Sequence, residues 1–254
     1  MQSITFIGNG NMALAIAQGL KHKFRIEVIG RDMKRLDAFE KALDVTIEKR
    51  LLDDADIEGK TVLLCVKPAN LKSVGKALKG KARLLLSVLA GTSLEVLRKH
   101  IKAKGYVRAM PNLAARHGAS MTTLTGDDAH KDEATVLMRG AGDVLWLDSE
   151  KELDIATALA GSGPAYLALV AEALADGAVK LGLKRDDARK LTEGLFQGSA
   201  ALLAHQHPAL LKEEVMSPGG TTAAGCAALE ASGARAAFIA ALEAALARAQ
   251  ALSD

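Results

Sequence analysis

Aromatic side chains are scarce: one Trp, two Tyr and five Phe make up 3% of the 254 residues. A surface that stacks single-stranded bases needs several of them together, so that class of binding protein is excluded. Charge of one sign is scarce as well. The net charge is +3, and the basic residues are spread along the chain rather than blocked, so no nucleic-acid partner is expected. There are two cysteines, Cys65 and Cys226, and neither stands at ligand spacing from the six histidines. Free thiols in a reducing compartment and no metal site are expected. No apolar run approaches the length of a membrane span, and Met1–Gln2–Ser3 leads directly into a strand pattern without a leader-like stretch. The expectation is a soluble, cytoplasmic protein with no membrane partner.

What is present is ordered by alternation. Short β-rich runs stand at Ile4–Ile7, Arg25–Ile29, Thr61–Val66, Arg83–Val88 and Tyr106–Ala109. Helical patterns lie between several of them, at Met12–Lys21, Met33–Leu43, Ala69–Leu78 and Ser93–His100. Strands alternating with helices imply right-handed crossovers and a mainly parallel sheet. Ser120–Leu124, the helix Asp128–Arg139 and Asp143–Leu147 extend the sheet edge. The fold class read from this pattern is α/β, a Rossmann-type domain over 1–149 followed by an all-α domain over 150–254.

The first strand runs into Gly8, Asn9, Gly10, Asn11, Met12 and Ala13, a G-x-G-x-x-A turn between strand and helix. Gly8 permits the tight turn, Gly10 lets a pyrophosphate approach the backbone, and Ala13 lets helix and strand pack closely. The second strand ends in Gly30 and Arg31, with Lys34 and Arg35 one turn on. Positive charge there suits the 2′-phosphate of NADP, whereas NAD sites usually place an acid at that point. Asp32 is the competing acid, and it has another task as the N-cap of the next helix. Cys65, Val66, Lys67 and Pro68 close the third run, at a strand end where a nicotinamide ribose is bordered in such sheets.

From about Glu150 the chain becomes alanine-rich helix. Pro164–Leu181 carries only Glu172, Asp176 and Lys180 as charges, one stripe on an apolar cylinder, and Ala234–Leu252 is similarly sparse. So much apolar helix in about 100 residues predicts a homodimer through these helices, with a self-contained bundle as the alternative. Gly161–Ser162–Gly163–Pro164 reads as an N-cap and first-turn proline opening the long helix. Ser217, Pro218, Gly219, Gly220, Thr221 and Thr222 break one helix and open another. That leaves N–H groups and hydroxyls at the positive end of a helix dipole, ready for an anion.

Taken together these segments resemble the pyrroline-5-carboxylate reductase family. The pieces that carry the resemblance are Phe6–Ala13, Val66–Lys67–Pro68, Ala90–Gly91 and Arg108–Ala109–Met110–Pro111–Asn112. They continue with Leu159–Tyr166, Glu172–Gly177, His207–Pro208 and Ser217–Thr222, and so cover essentially the whole chain. The resemblance implies a Rossmann domain and an interlocking helical domain, in a homodimer or a higher assembly of dimers. It also implies NADP(H) as hydride donor, with NAD(H) as the second candidate, and 1-pyrroline-5-carboxylate as acceptor. Gly8 to Ala13 would hold the pyrophosphate, Arg31 the adenosine ribose, and Cys65 to Pro68 with Val88, Leu89 and Ala90 would flank the cofactor. Ser217, Gly219, Gly220, Thr221 and Thr222 would hold the substrate, with the Thr222 hydroxyl beside the ring nitrogen as the catalytic group.

The chain departs from the family pattern at Leu113–Ala114, His205 and Glu214. His205 and His207 invite a metal reading, but two at that spacing with no third ligand make a surface pair. Two other functions compete: a β-hydroxyacid dehydrogenase, for which the long helix offers only Lys180 as acid/base, and a non-catalytic NADP-sensing protein.

Overall fold

The computed structural model describes residues 2–251, so Met1, the end of the last helix expected at Leu252, and the two residues after it lie outside the described residues. The chain forms two compact units. One runs to Ser162 and takes in the segment from Ala245 onward; the other is Gly163–Ala244.

In the first unit the elements follow one another as β1 (Ser3–Ile7), α1 (Asn11–Leu20), β2 (Arg25–Gly30), α2 (Met33–Leu43), β3 (Glu48–Leu51) and β4 (Thr61–Leu64). Then come α3 (Leu71–Ala77), β5 (Ala82–Ser87), α4 (Leu94–His100), β6 (Ala103–Met110), β7 (Ser120–Gly126), α5 (Lys131–Met138), β8 (Gly142–Trp146) and α6 (Glu150–Ala156). The eight strands form one sheet in the order β3-β2-β1-β4-β5-β6-β7-β8. Only the β6–β7 pairing is antiparallel. This is the doubly wound arrangement expected from the alternation, with the order reversing between β1 and β4.

Side chains alternate between two cores. Ile4 and Phe6 point into one, with Ile16 and Leu20 of α1. Ile7 and Ile29 point into the other, with Leu71 and Val74 of α3. A parallel sheet covered on both faces needs nearly continuous apolar strands, which is why these runs are legible in the sequence. Strand β3 was not expected, since Glu48–Lys49–Arg50–Leu51 has no apolar pattern. Charge pairing supports it instead. Arg50 Nε lies 2.9 Å from Glu27, and Lys49 Nζ lies 2.7 Å from both Asp37 and Glu40.

Glu27 is buried on β2, one strand in from the edge and beside β1, where it accepts from Thr5 Oγ1 at 2.6 Å and Lys60 Nζ at 2.7 Å. Burial alone would raise its pKa. The hydrogen bonds from Lys60, Thr5 and Arg50 together outweigh that and hold the carboxyl below its ordinary value of 4.5.

In the second unit α7 (Gly163–Lys180) packs on α8 (Arg185–Leu203), followed by α9 (Pro208–Val215), α10 (Thr221–Ala231) and α11 (Ala234–Gln250). The last helix runs on into the segment grouped with the first unit. Among the described residues of 163–244, Ala188 alone is buried. Leu169 is 66% and Leu191 62% exposed in the single chain. Helices with so much large apolar surface have no core of their own to bury it in.

The reading of Ser162 as an N-cap is corrected. Its backbone is helical, with φ −89° and ψ −23°, and its N–H bonds Thr157 O at 3.1 Å across a π-turn spanning Thr157–Gly161. Helix therefore continues from Glu150 to Lys180, 31 residues with a window of mean hydropathy 1.3. By length and composition that run is long enough to cross a membrane, contrary to the expectation that none approached it. The cause is the π-turn, which absorbs the Gly-Ser-Gly-Pro sequence without ending the helix.

Replacing Glu27 with Gln leaves Lys60 without its anion and Arg50 with Glu48 alone, and should cost roughly 1–3 kcal/mol, moderated because both cations keep contact with water. Because the folded pKa of Glu27 is depressed, its contribution is complete above about pH 4.5 and fades as pH falls through the folded value. Urea unfolding at pH 7 and at pH 3 should show the gap between wild type and E27Q narrowing at the lower pH. An equal gap at both would contradict the assignment.

Candidate active site

At the C-terminal edge of the sheet, β1 leaves for α1 through a turn that only glycine fits. Gly8 has φ 102°, and a Cβ there would lie 2.7 Å from the Cys65 carbonyl oxygen. Its N–H bonds Ile29 O at 2.9 Å, while Cys65 N–H bonds Ile7 O at 2.8 Å, so the turn is stitched to both neighbouring strands. Gly10 is the N-cap of α1, without a side chain to cap the first turn and without an acid within it. Space around a Cβ on Gly10 is open. The first N–H groups of α1 thus face an anion-sized opening at the positive end of the helix.

A cavity of about 410 Å³ lies along this edge. Of the expected cofactor residues, Gly8, Asn9, Gly10, Asn11, Arg31, Cys65, Val66 and Lys67 line it. Met12, Ala13 and Pro68 do not. Ala13 is fully buried against the core beneath the turn, and Pro68 opens a short 3-10 turn over Pro68–Asn70. Val88, Leu89 and Ala90 follow β5 two strands from β1 and lie outside this cavity, with Leu89 buried. Arg31 and Arg35 are exposed and line the cavity beyond β2. Asp32 caps α2, accepting from Lys34 N–H at 2.8 Å, as its position suggested.

Sequence reasoning missed Asn70 and Leu52, which also line the cavity. They arrive there only through the 3-10 turn after β4 and the unforeseen strand β3. Burial pushes the Cys65 thiol up to about 12, so it is neutral at physiological pH and has no nucleophilic part to play.

The Ser217–Thr222 turn belongs to the helical unit. Gly219 has φ 70°, and Gly220 N–H bonds Ser217 O at 2.9 Å, closing a tight turn. Gly220 then caps α10 without a side chain, leaving the N–H groups of its first turn, with the Thr221 and Thr222 hydroxyls, available to an anion. His207 caps α9 through Nδ1, which accepts from Ala209 N–H at 3.3 Å, and Glu214 accepts from Gln206 at 2.8 Å. No cluster of three His, Cys, Asp or Glu suited to a metal occurs among the described residues.

The doubly wound sheet, the glycine turn under an uncapped helix and the basic strand end define an oxidoreductase of the dinucleotide-binding class. Residues 3–91 match the family model described as NADP oxidoreductase, coenzyme F420-dependent, and residues 150–252 match that for pyrroline-5-carboxylate reductase dimerisation. The chain is 36% identical over 244 residues to the pyrroline-5-carboxylate reductase of Pisum sativum, covering 91% of this chain and 89% of that one. A solved pyrroline-5-carboxylate reductase from Coxiella burnetii superposes with a TM-score of 0.85 at 36% identity, covering 100% of this chain and 99% of the other. The Plasmodium falciparum pyrroline carboxylate reductase, solved with NADP bound, gives 0.82 at 25% identity, with 100% and 98% covered. The chain belongs to the pyrroline-5-carboxylate reductase family.

Gly8→Ala combines a strained φ with a clash against backbone, which cannot yield as a side-chain tip would. It should weaken NADPH binding by about tenfold or more and lower stability by roughly 1–3 kcal/mol. Fluorescence titration and thermal melting check both, and unchanged affinity would remove the turn from the cofactor site.

Proposed function

We propose that the protein is a pyrroline-5-carboxylate reductase that uses NADPH to reduce the C=N bond of 1-pyrroline-5-carboxylate to L-proline. The observation that carries this is the joint occurrence of the Gly8 turn and family relatedness over nearly the whole chain. Bound NADPH supplies the hydride. Gly8 to Ala13 hold its pyrophosphate on the first turn of α1. Arg31, with Arg35, meets the 2′-phosphate, which favours NADPH over NADH. Cys65 to Pro68 and Val88 to Ala90 flank the ribose and nicotinamide.

Ser217, Gly219, Gly220, Thr221 and Thr222 hold the substrate. Its carboxylate takes charge-assisted hydrogen bonds from the N–H groups that open α10. The hydride goes to the imine carbon and the nitrogen ends with a proton. An imine accepts hydride readily once protonated, so orientation matters more than a strong general acid. Thr222, through its hydroxyl, positions the nitrogen and links it to water.

The helical domain, 150–254, serves as the dimerisation domain. Residues 163–244, where Ala188 alone is buried among the described residues, favour a second copy of the chain as their cover. That reading also accounts for the apolar run Glu150–Lys180, whose Glu172 and Asp176 would be costly in lipid. The enzyme works in the cytoplasm as a homodimer or an assembly of dimers.

NADPH absorbance should fall on addition of pyrroline-5-carboxylate, and Thr222→Ala should lose about 10²-fold in kcat with NADPH binding retained. Folded wild type without turnover would overturn the function, and full activity of T222A would overturn the role of the hydroxyl.

A further inference from the structure

Arg108 and Asn112 stand at the end of β6 and perform work that the cofactor turn does not account for. The pairing register sets Ile7, Leu64, Ser87 and Arg108 in one row across β1, β4, β5 and β6. These four strands are parallel, so Asn112 emerges on the same sheet edge as Gly8. Three strand spacings of about 4.8 Å place β6 roughly 14 Å from β1, on the side away from β2 and Arg31. With the pyrophosphate at Gly8 and the adenosine half over β2, the nicotinamide half extends toward β5 and β6.

At that place Arg108 of β6 and Asn112, two residues past its end, grip the helix that contains the π-turn. Arg108, almost wholly buried, donates to Glu150 at 2.8 Å and to Asp154 at 2.9 Å. Glu150 also accepts from Leu94 N–H at 2.9 Å, tying the start of α4 into the same knot. Asn112, 9% exposed, donates from Nδ2 to the carbonyl of Ala160 at 3.0 Å. Its Oδ1 accepts from Ala114 N–H at 3.0 Å, and its own N–H donates to Ser120 Oγ at 3.0 Å.

The choice of Ala160 has a chemical reason. In an α-helix its carbonyl accepts from the N–H four residues on, and that residue is Pro164, which has none. Pro164 cannot be that donor, and the Asn112 amide supplies one, inside Thr157–Gly161. The π-turn is thereby fastened to the sheet at both sides, by Arg108 before it and Asn112 at its end.

We propose that Asn112 is a positioning residue for hydride transfer: its side-chain amide holds the Ala160 carbonyl, and with it the π-turn, against the sheet edge that carries the nicotinamide half of the cofactor. Arg108 sets the same helix before the π-turn, through Glu150 and Asp154. This rests on the reductase reading for its kinetic consequence, while the anchor itself does not.

Asn112→Asp tests it, because the carboxylate keeps the acceptor for Ala114 and replaces the donor toward Ala160 with a charged acceptor oxygen. In the unliganded protein, hydrogen exchange of the amides around 157–163 should accelerate by about tenfold, with the rest of the sheet unchanged. In turnover, kcat should fall roughly ten- to hundredfold while the KM for NADPH stays within about twofold, the pattern of misplacement rather than lost binding. Pro164→Ala restores an N–H to the helix, so N112D should cost less in that background, whereas a purely global loss of stability would cost the same in both. Unchanged exchange, a loss carried by KM, or equal costs in the two backgrounds would each overturn the proposal. If the wild type itself does not reduce pyrroline-5-carboxylate, the functional reading fails, and the exchange experiment alone still decides the anchor.

Discussion

The architecture of the cofactor site depends on one close approach, that of Gly8 to the Cys65 carbonyl. A side chain at Gly8 would meet backbone at 2.7 Å, so β1 and β4 can stay paired to their ends only with glycine there. Because they stay paired, the chain leaves the sheet where the strand order reverses, and α1 starts with its amides over the opening. The same geometry divides the cavity: basic residues after β2 on one side, the Cys65–Lys67 strand end on the other. Everything assigned to dinucleotide binding follows from that single crossing point.

The part of the fold legible in the sequence is the part with both faces buried. β1, β4 and β5 are mostly apolar and buried because helices cover them above and below. β3 is an edge strand held by Lys49 and Arg50, so its stabilising partners, Asp37, Glu40 and Glu27, lie elsewhere in the chain. A hydrophobic pattern cannot reveal such a strand, and with it Leu52 of the cavity was missed. The Gly-Ser-Gly-Pro segment misled for a different reason. Proline near a helix start is a sound local signal, but here a π-turn and a donor from Asn112 make it tolerable inside a continuous helix. That compensation is long-range and leaves no trace in local spacing.

The two units solve burial in opposite ways. The sheet unit is saturated, with Ile4, Phe6, Leu63 and Leu84 wholly inaccessible. The helical unit is also rich in apolar side chains, and among the described residues of 163–244 it encloses only Ala188. The tight turn at Ser217–Thr222 was legible in the sequence because proline, two glycines and two threonines dictate the backbone.

The most direct measurement follows the label from donor to product. Turnover of 1-pyrroline-5-carboxylate with NADPH deuterated at the transferred position of the nicotinamide should give proline carrying one deuterium at C5, the former imine carbon. Mass spectrometry and NMR of the product read this without ambiguity. NADPH consumed with unlabelled proline, or with deuterium at another carbon, would contradict the account.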